Sequence, residues 1–529
     1  MATGTYSIYR FNTAESGTTL ITIKKAIAAD HCTDVGWNNA TMGVGQAVWT
    51  NSSGSGDIWL WTCCGFWGLD GQRRTDRKAG HGFKLDNSNL SVAARNVLTV
   101  AASTGSHINN ITFRYIEIQG AGVDSNTSFG GPLNFSEHEV NITGETSNIT
   151  FEYGYIHDSG NIPVQLGGGE DQQTHNRSHD FLFQYTTIAR DAASLTFHGN
   201  GFYDQGGYDN ITFRYNVLED LEGTAYIGSN VAGGLTTNYQ VYGNVFMRHS
   251  VNLNHTGIGN AAISFYNPKT IHGIFIYNNS FINLPPSFSS VGINSEVTVT
   301  NVVIRNNLWY NTADATTGPN TGNTTASHNY FIGESFWSGE TNTQVTPTTN
   351  PFVNWPGSCS GTVCSGEDFH LIRATNNGLS LSSPYNTDPD GVTRGADGTW
   401  DRGAFEFGGS SCSPVISSVT LNPTSVVGGN TSTGTVTLSC APTSNTVVSL
   451  SSSNTAVATV PATVTVLANQ TTATFTVTTV GVCVSTNVTI TATLNGSTTA
   501  SLTVTVGGAL CQGAVVEGKA KISGTAKVQ

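Results

Sequence analysis

The chain has 529 residues, a formal net charge of −13 and only 11% charged residues. That acidic balance argues against nucleic-acid binding, which uses basic surface, and disfavours unassisted capture of polyanions unless one basic groove overrides it. No stretch approaches the roughly 20 apolar residues of a membrane-spanning helix, and the length exceeds one ordinary domain.

The 60 glycines and abundant Ser, Thr and Asn describe a β-rich, turn-rich chain of extracellular type. Met1-Ala-Thr-Gly-Thr-Tyr-Ser shows no signal peptide and enters a coil already in progress, so a leader and a first coil are expected to precede it. Residues 1–100 read as irregular early coils. Trp59, Trp61, Phe66 and Trp67 lead into Leu69-Asp-Gly71, which echoes Ile118-Gln-Gly120 as an early repeat.

Seven nine-residue phrases follow, starting at Asn110, Asn148, Asp180, Asn210, Asn238, Gly273 and Asn301, with spacings of 38, 32, 30, 28, 35 and 28. A variable period of this size predicts a stacked repeat. The second column (Ile111, Ile149, Phe181, Ile211, Tyr239, Ile274, Val302) and the fourth (Phe113, Phe151, Phe183, Phe213, Val241, Ile276, Ile304) alternate with polar residues. That is the pattern of a strand with one buried face. The ninth column is apolar again, from Ile118 to Trp309, so a second strand follows a tight bend. The bend carries Asn216, Asn244, Asn279 and Asn307, expected to supply a left-handed backbone and a stack of amides. Tyr115, Tyr153, Tyr185 and Tyr215 precede it as an expected aromatic stack.

With its Asn ladder and aromatic stacks, the region 1–340 resembles the right-handed parallel β-helix proteins of the pectate-lyase-like superfamily. Asp388-Pro-Asp-Gly391, Arg394 and Asp401-Arg-Gly-Ala-Phe-Glu406 resemble the closing segment of secreted bacterial β-helix proteins. The expected fold is therefore all-β. A parallel β-helix fills 1–340, with His328-Asn-Tyr-Phe331 as its last coil, and 341–408 closes its end. A linker, 409–414, leads to a small immunoglobulin-like β-sandwich at 415–508 with about seven Thr/Ser/Val-rich strands; 509–529 is a tail or the start of another element. Such modules are appended to secreted bacterial enzymes and adhesins, and this one has no titratable cluster.

Nine Cys fit an oxidising compartment. Cys359 with Cys364 and Cys440 with Cys483 are candidate bridges, Cys63 and Cys64 are adjacent, and Cys412 and Cys511 flank the last domain.

In a stack, residues of one column lie roughly 4.8 Å apart. Two places beyond the ninth column stand Gly120, Asp158, Arg190, Asp220, Arg248, Asn283 and Asn311, with His157 and Glu219 one column earlier and Asp191, Glu222 and His249 beside them. This is the densest titratable constellation of the chain. It has two readings: a charge ladder that stabilises the stack, or a site acting on an extracellular polysaccharide. A lyase working by β-elimination on uronate-containing glycans would draw on His157, Arg190, Arg248 and His198 for proton abstraction and carboxylate neutralisation. Asp158, Asp191 and Asp220 are its candidate Ca2+ ligands. A glycoside hydrolase would instead pair carboxylates from Asp158, Asp191, Asp220 and Glu219. The loop Glu170–Asp180 would wall the groove with His175, Arg177 and His179, beside Glu219, as substrate contacts. His198 has Asp204 as a candidate orienting carboxylate, and Glu137-His-Glu139 is a lesser cluster. The rival to an enzyme is a non-catalytic adhesin or surface protein. The protein is expected to be secreted or at the cell surface, and monomeric. A catalytic site should leave His157, Asp158, Arg190 and Asp220 in an open cleft flanked by the 159–179 loop, whereas a scaffold should cover the column or pair every charge.

Overall fold

A computed structural model describes residues 3–507 except 13–16, 28–41, 51–56, 89–95, 104–105, 121–137, 160–161, 168–177, 192–199, 206–207, 222–224, 231–234, 250–260, 267–269, 285–288, 294–296, 313–323, 334–339, 348, 358–365, 408–413, 440–441, 443–444 and 468–469. The chain divides into two compact units, Met1–Gly409 and Ser410–Gln529.

The first unit is a parallel β-helix. Among the described residues its strands form three parallel sheets of 12, 9 and 11 strands, and as far as Ser289–Ile293 each sheet pairs every third strand along the chain. One coil runs Thr146–Glu152 in the 11-stranded sheet, Tyr155–Ser159 in the 12-stranded sheet and Ile162–Gly167 in the 9-stranded sheet. The expected columns are real ladders. Ile111, Ile149, Phe181, Ile211, Tyr239, Ile274 and Val302 stand in register, as do Ile118, Ile156, Ile188, Leu218, Phe246, Phe281 and Trp309. They point inward and build one continuous apolar core, because alternate residues of a strand face opposite sides of its sheet.

Asn216, Asn244, Asn279 and Asn307 continue to Asn329. Each backbone N–H and side-chain amide donates to the Oδ1 of the next Asn at 2.9–3.1 Å, and Thr186 N joins below at 3.0 Å. The left-handed residue of the bend is a different one. Positive φ falls at Tyr215, Gly243, Asn278, Asn306 and His328, one place before each amide, and at Tyr115, Tyr153 and Tyr185 in the coils below. The Asn is kept by its inward hydrogen bonds, not by its backbone. Tyr115, Tyr153 and Tyr185 stack with centroids 5.0 and 4.8 Å apart, and Tyr215 follows at 5.2 Å, tilted.

Two further expectations shift. Leu69 pairs with Phe113, and it is Leu85 that pairs with Ile118, so the Leu69-Asp-Gly71 echo belongs to the other sheet. The stack also continues beyond His328–Phe331, with Gln344–Thr346 adding a strand against Tyr330–Ile332.

The closing segment lies on the outer face of the 12-stranded sheet. Outward-facing Val245, Met247, Ile282, Leu308, Tyr330 and Ile332 are buried there against Phe352, Trp355, Phe369, Leu371 and Ala404. The acidic motif is what holds the segment in shape. Asp401 Oδ1 accepts from Thr375 N and Asn376 N, and its Oδ2 accepts from Phe407 N (2.9 Å). Asp388 caps Asp390 N and Val392 N, and Glu406 accepts from Gly395 N and Asp401 N. Arg394 donates to Ala404 O, and Arg402 to Thr375 O and Gln344 Oε1. Gly403 (φ 106°) passes so near Ser280 and Leu308 that a Cβ would stand 3.0 and 3.1 Å from them.

The second unit is a β-sandwich of two mostly antiparallel sheets. Its sheets run Ile416–Asn422, Thr431–Leu438, Thr472–Thr479, Ala458–Thr459 and Ser425–Val427, Ser497–Thr505, Thr486–Thr493, Thr446–Ser452, Thr463–Val466. Among the described residues it has nine strands, against about seven expected. Val436, Val448, Val477, Val488, Ile490 and Leu502 form the core. Cys483 is disulfide-bonded, whereas Cys440, Cys359, Cys364, Cys412 and Cys511 lie outside the described residues. Cys63 and Cys64 are bonded to each other.

Candidate functional site

The constellation assembles where each coil leaves the 12-stranded sheet. Asp158, Arg190 and Asp220 have φ of 56°, 51° and 52°, so the chain turns sharply at each and throws the side chain out along the corner. His157, Ala189 and Glu219 stand in register just before them on the outer face.

Asp158 is the hub of the first cluster. Its Oδ1 accepts from Arg190 Nε at 2.6 Å, and its Oδ2 accepts from His157 Nδ1 at 2.7 Å. Arg190 also donates to the Tyr155 hydroxyl (3.0 Å), and Tyr155 stacks on His157 with centroids 4.0 Å apart. On the other side His157 Nε2 faces Glu117 Oε1 at 3.4 Å, and Lys84 Nζ bridges Glu117 (2.9 Å) and Gln119 (2.7 Å). Gln46 caps the second Glu117 oxygen at 2.8 Å. Burial pushes Glu117 up, but the His157 hydrogen bond and Lys84 outweigh it and hold its carboxyl at about 2. Burial likewise opposes ionisation of Asp158, yet His157 and Arg190 hold it well below the carboxylate range. Burial also pushes the Tyr155 hydroxyl well above its ordinary value, despite Arg190.

A second cluster surrounds Glu219. Arg77 spans Glu219 and Glu367 at 2.7 Å each, and Lys78 meets Glu219 at 2.6 Å and Glu367 at 3.4 Å. Asp220 pairs with His249 (2.9 Å to Nδ1) and also accepts its backbone N–H (2.7 Å). His249 Nε2 faces Glu367 at 3.4 Å, and the ring lies 4.8 Å from Trp355. Burial depresses His249, but Asp220 and Glu367 more than compensate and raise it to about 9.

These contacts bring two segments over the column. The loop 72–82 reaches from an early coil across three later ones. Arg74 donates to Tyr185 O (2.8 Å) and lies over Tyr153, His81 stacks on Tyr155, and Arg77 and Lys78 reach Glu219. The closing segment covers the rest through Glu367, Phe369 and Trp355. His157, Asp158 and Arg190 keep 7%, 19% and 12% side-chain exposure, and Glu219 and Asp220 keep 2% and 7%.

His157, Asp158 and Arg190 thus come together; Glu219 and Asp220 belong to a neighbouring cluster. The expected Asp–Arg alternation holds for one step only, because Asp220 takes His249 instead of an arginine. Arg248 is half-buried, with no ion pair among the described residues. His179 stands elsewhere: it opens the strand His179–Gln184 of the 11-stranded sheet, paired with Ser147 and Asp209. Asp204 is fully buried in register with Leu166, facing the core. His175, Arg177, His198, Glu137, Glu222 and the side chain of Asp191 lie outside the described residues. Among the described residues no three His, Cys, Asp or Glu side chains converge as a metal ion requires. Asp158 and Asp220 stand two coils, about 10 Å, apart, and each is already paired with cationic or histidine partners.

Arg77, Lys78, Glu367, Lys84, Glu117 and Tyr155 were not anticipated. The run Arg73-Arg74-Thr-Asp-Arg77-Lys78 is an unusual concentration of cations in a chain with 22 Lys and Arg, and that was the available signal.

No protein-family model matches the chain. No curated protein matches it, and no solved structure does. The fold and this corner define a parallel β-helix protein with a β-sandwich module and a covered, internally paired charge column.

Proposed function

We propose that the protein is an extracellular glycan-binding protein of adhesin type, in which the charge column is scaffold. One observation carries the reading: Arg190, the cation beside the candidate base His157, is spent on Asp158 and Tyr155 beneath neighbouring protein. A β-elimination site needs an accessible cation and a base that faces the sugar. Here His157 lies between Asp158 and Glu117, and the Tyr155 hydroxyl is held protonated. A hydrolase needs two carboxylates facing a common groove, whereas Asp158 and Glu219 face separate partners. The elongated repeat, with its wide sheet faces and appended sandwich, suits display and glycan contact.

The test is a polysaccharide panel scored for both binding and chain scission. Retention of a glycan with its length unchanged supports the reading; scission of any glycan overturns it.

A further inference from the structure

The outer face of the 11-stranded sheet differs from the covered face next to it. An open depression of about 440 Å3 lies there, lined by Asn148, Asp180, Asn210, Arg214 and Tyr242 among others. Its floor is the row Thr150, Leu182, Thr212 and Gln240, in register on four successive strands. Pro384 of the closing segment lines one side, and its neighbour Tyr385 stands edge-on to Tyr242 at 4.9 Å.

The polar groups of this depression are chained. Tyr385 OH donates to Gln240 Oε1 (3.0 Å), Gln240 Nε2 to Asn238 Oδ1 (2.9 Å), Asn238 Nδ2 to Asn210 Oδ1 (2.9 Å) and Asn210 Nδ2 to Asp180 Oδ1 (2.8 Å). His179 closes the chain on Asp180 Oδ2 at 2.7 Å. Each primary amide has two N–H donors and an oxygen with two lone pairs, and one bond in each direction leaves further capacity on every link. Asn148 and Asn210 are exposed. Asp180, Asn210 and Asn238 stand on successive strands and so repeat at the strand spacing of roughly 4.8 Å. Arg214, the cation of the depression, is already engaged with Gln184 (2.8 Å) and Tyr242 (2.9 Å).

We propose that this face is the glycan subsite and that its ligand is a neutral, hydroxyl-rich oligosaccharide lying across the strands. The inference rests on the glycan-binding reading. Sugar hydroxyls both donate and accept, which matches a row of fixed amides and hydroxyls offering both roles. Fixing those groups in advance reduces the ordering cost of binding. Arg214 is hydrogen-bonded to neutral groups and Asp180 offsets its charge, so the described lining holds no excess cation for a uronate. The aromatic and proline wall offers an apolar side to the sugar ring.

The experiment is calorimetric titration of the full chain with cellohexaose, xylohexaose and mannohexaose, and with oligogalacturonate as the charged comparator. Thr212→Trp fills the floor, and Gln240→Ala breaks the amide chain. Thermal melts of both variants establish that the fold is kept. The expected result is binding of a neutral oligosaccharide, weakened about tenfold or more in each variant. Neutral binding that both folded variants retain in full overturns the location while leaving the glycan-binding reading intact. Binding of oligogalacturonate alone overturns the ligand class. Binding of none of these probes overturns the inference, and failure across the wider polysaccharide panel overturns the reading beneath it.

Discussion

Arg190 Nε and Asp158 Oδ1 lie 2.6 Å apart across one coil step, although 32 residues separate them in sequence. The stack makes them neighbours, and their pairing ties two coils together at a corner where the backbone is left-handed on both sides. Because the folded carboxyl of Asp158 titrates below its unfolded value of about 3.9, its contribution to stability is present above that value and lost as pH falls. Asp158→Asn should cost about 2 kcal/mol at neutral pH, less than a fully buried pair because some solvent reaches both side chains. The cost should shrink in acid. Chemical denaturation at several pH values measures it.

His249 should give the opposite slope. Burial disfavours its charged form, but Asp220 and Glu367 raise it to about 9, above the unfolded value of about 6.5. The stabilisation is complete below that lower value and is lost as pH rises through about 9. Wild-type melting temperature should decline across this window, and His249→Asn should be less stable at neutral pH with the decline flattened.

Glu340 ends the amide ladder, accepting from Asn329 Nδ2. Its burial outweighs that hydrogen bond and raises the carboxyl to about 7. Between an unfolded value of about 4.3 and about 7, the folded state holds a proton that the unfolded state releases. Stability therefore falls as pH rises through that window. Glu340→Gln should raise the melting temperature at about pH 8 and change it little at about pH 5.

Asn279 accepts two hydrogen bonds from Asn244 at 3.0 Å and donates to Val241 O and Asn307 Oδ1. Asn279→Ala should cost about 3–5 kcal/mol, since it leaves several buried groups unpaired at once. Truncating an exposed amide such as Asn148 should cost far less. Parallel urea melts compare the two.

The coils were legible in the sequence because a strand repeats its apolar residues every second position and the stack repeats the phrase. Ile118, Ile156 and Ile188 share one place in the phrase and stand in register. The left-handed residue stands one place before the Asn ladder, because the ladder Asn is held by its hydrogen bonds, while Tyr115, Tyr153 and Tyr185 stack at the left-handed place. The site was legible only in part. His157, Asp158 and Arg190 share a column, but Arg77 lies 142 residues from Glu219, and Glu367 arrives from the closing segment. Loop-to-coil contacts of this kind have no period, so nothing in the spacing announces them.

The most direct test of the account is an assay for unsaturated uronate, by ultraviolet absorbance, on pectin, alginate and glycosaminoglycans with and without Ca2+. The account predicts no rise on any polymer, because Arg190 and His157 are committed to Asp158. A rise that disappears in Asp158→Ala and Arg190→Ala would contradict it and place a lyase on the charge column.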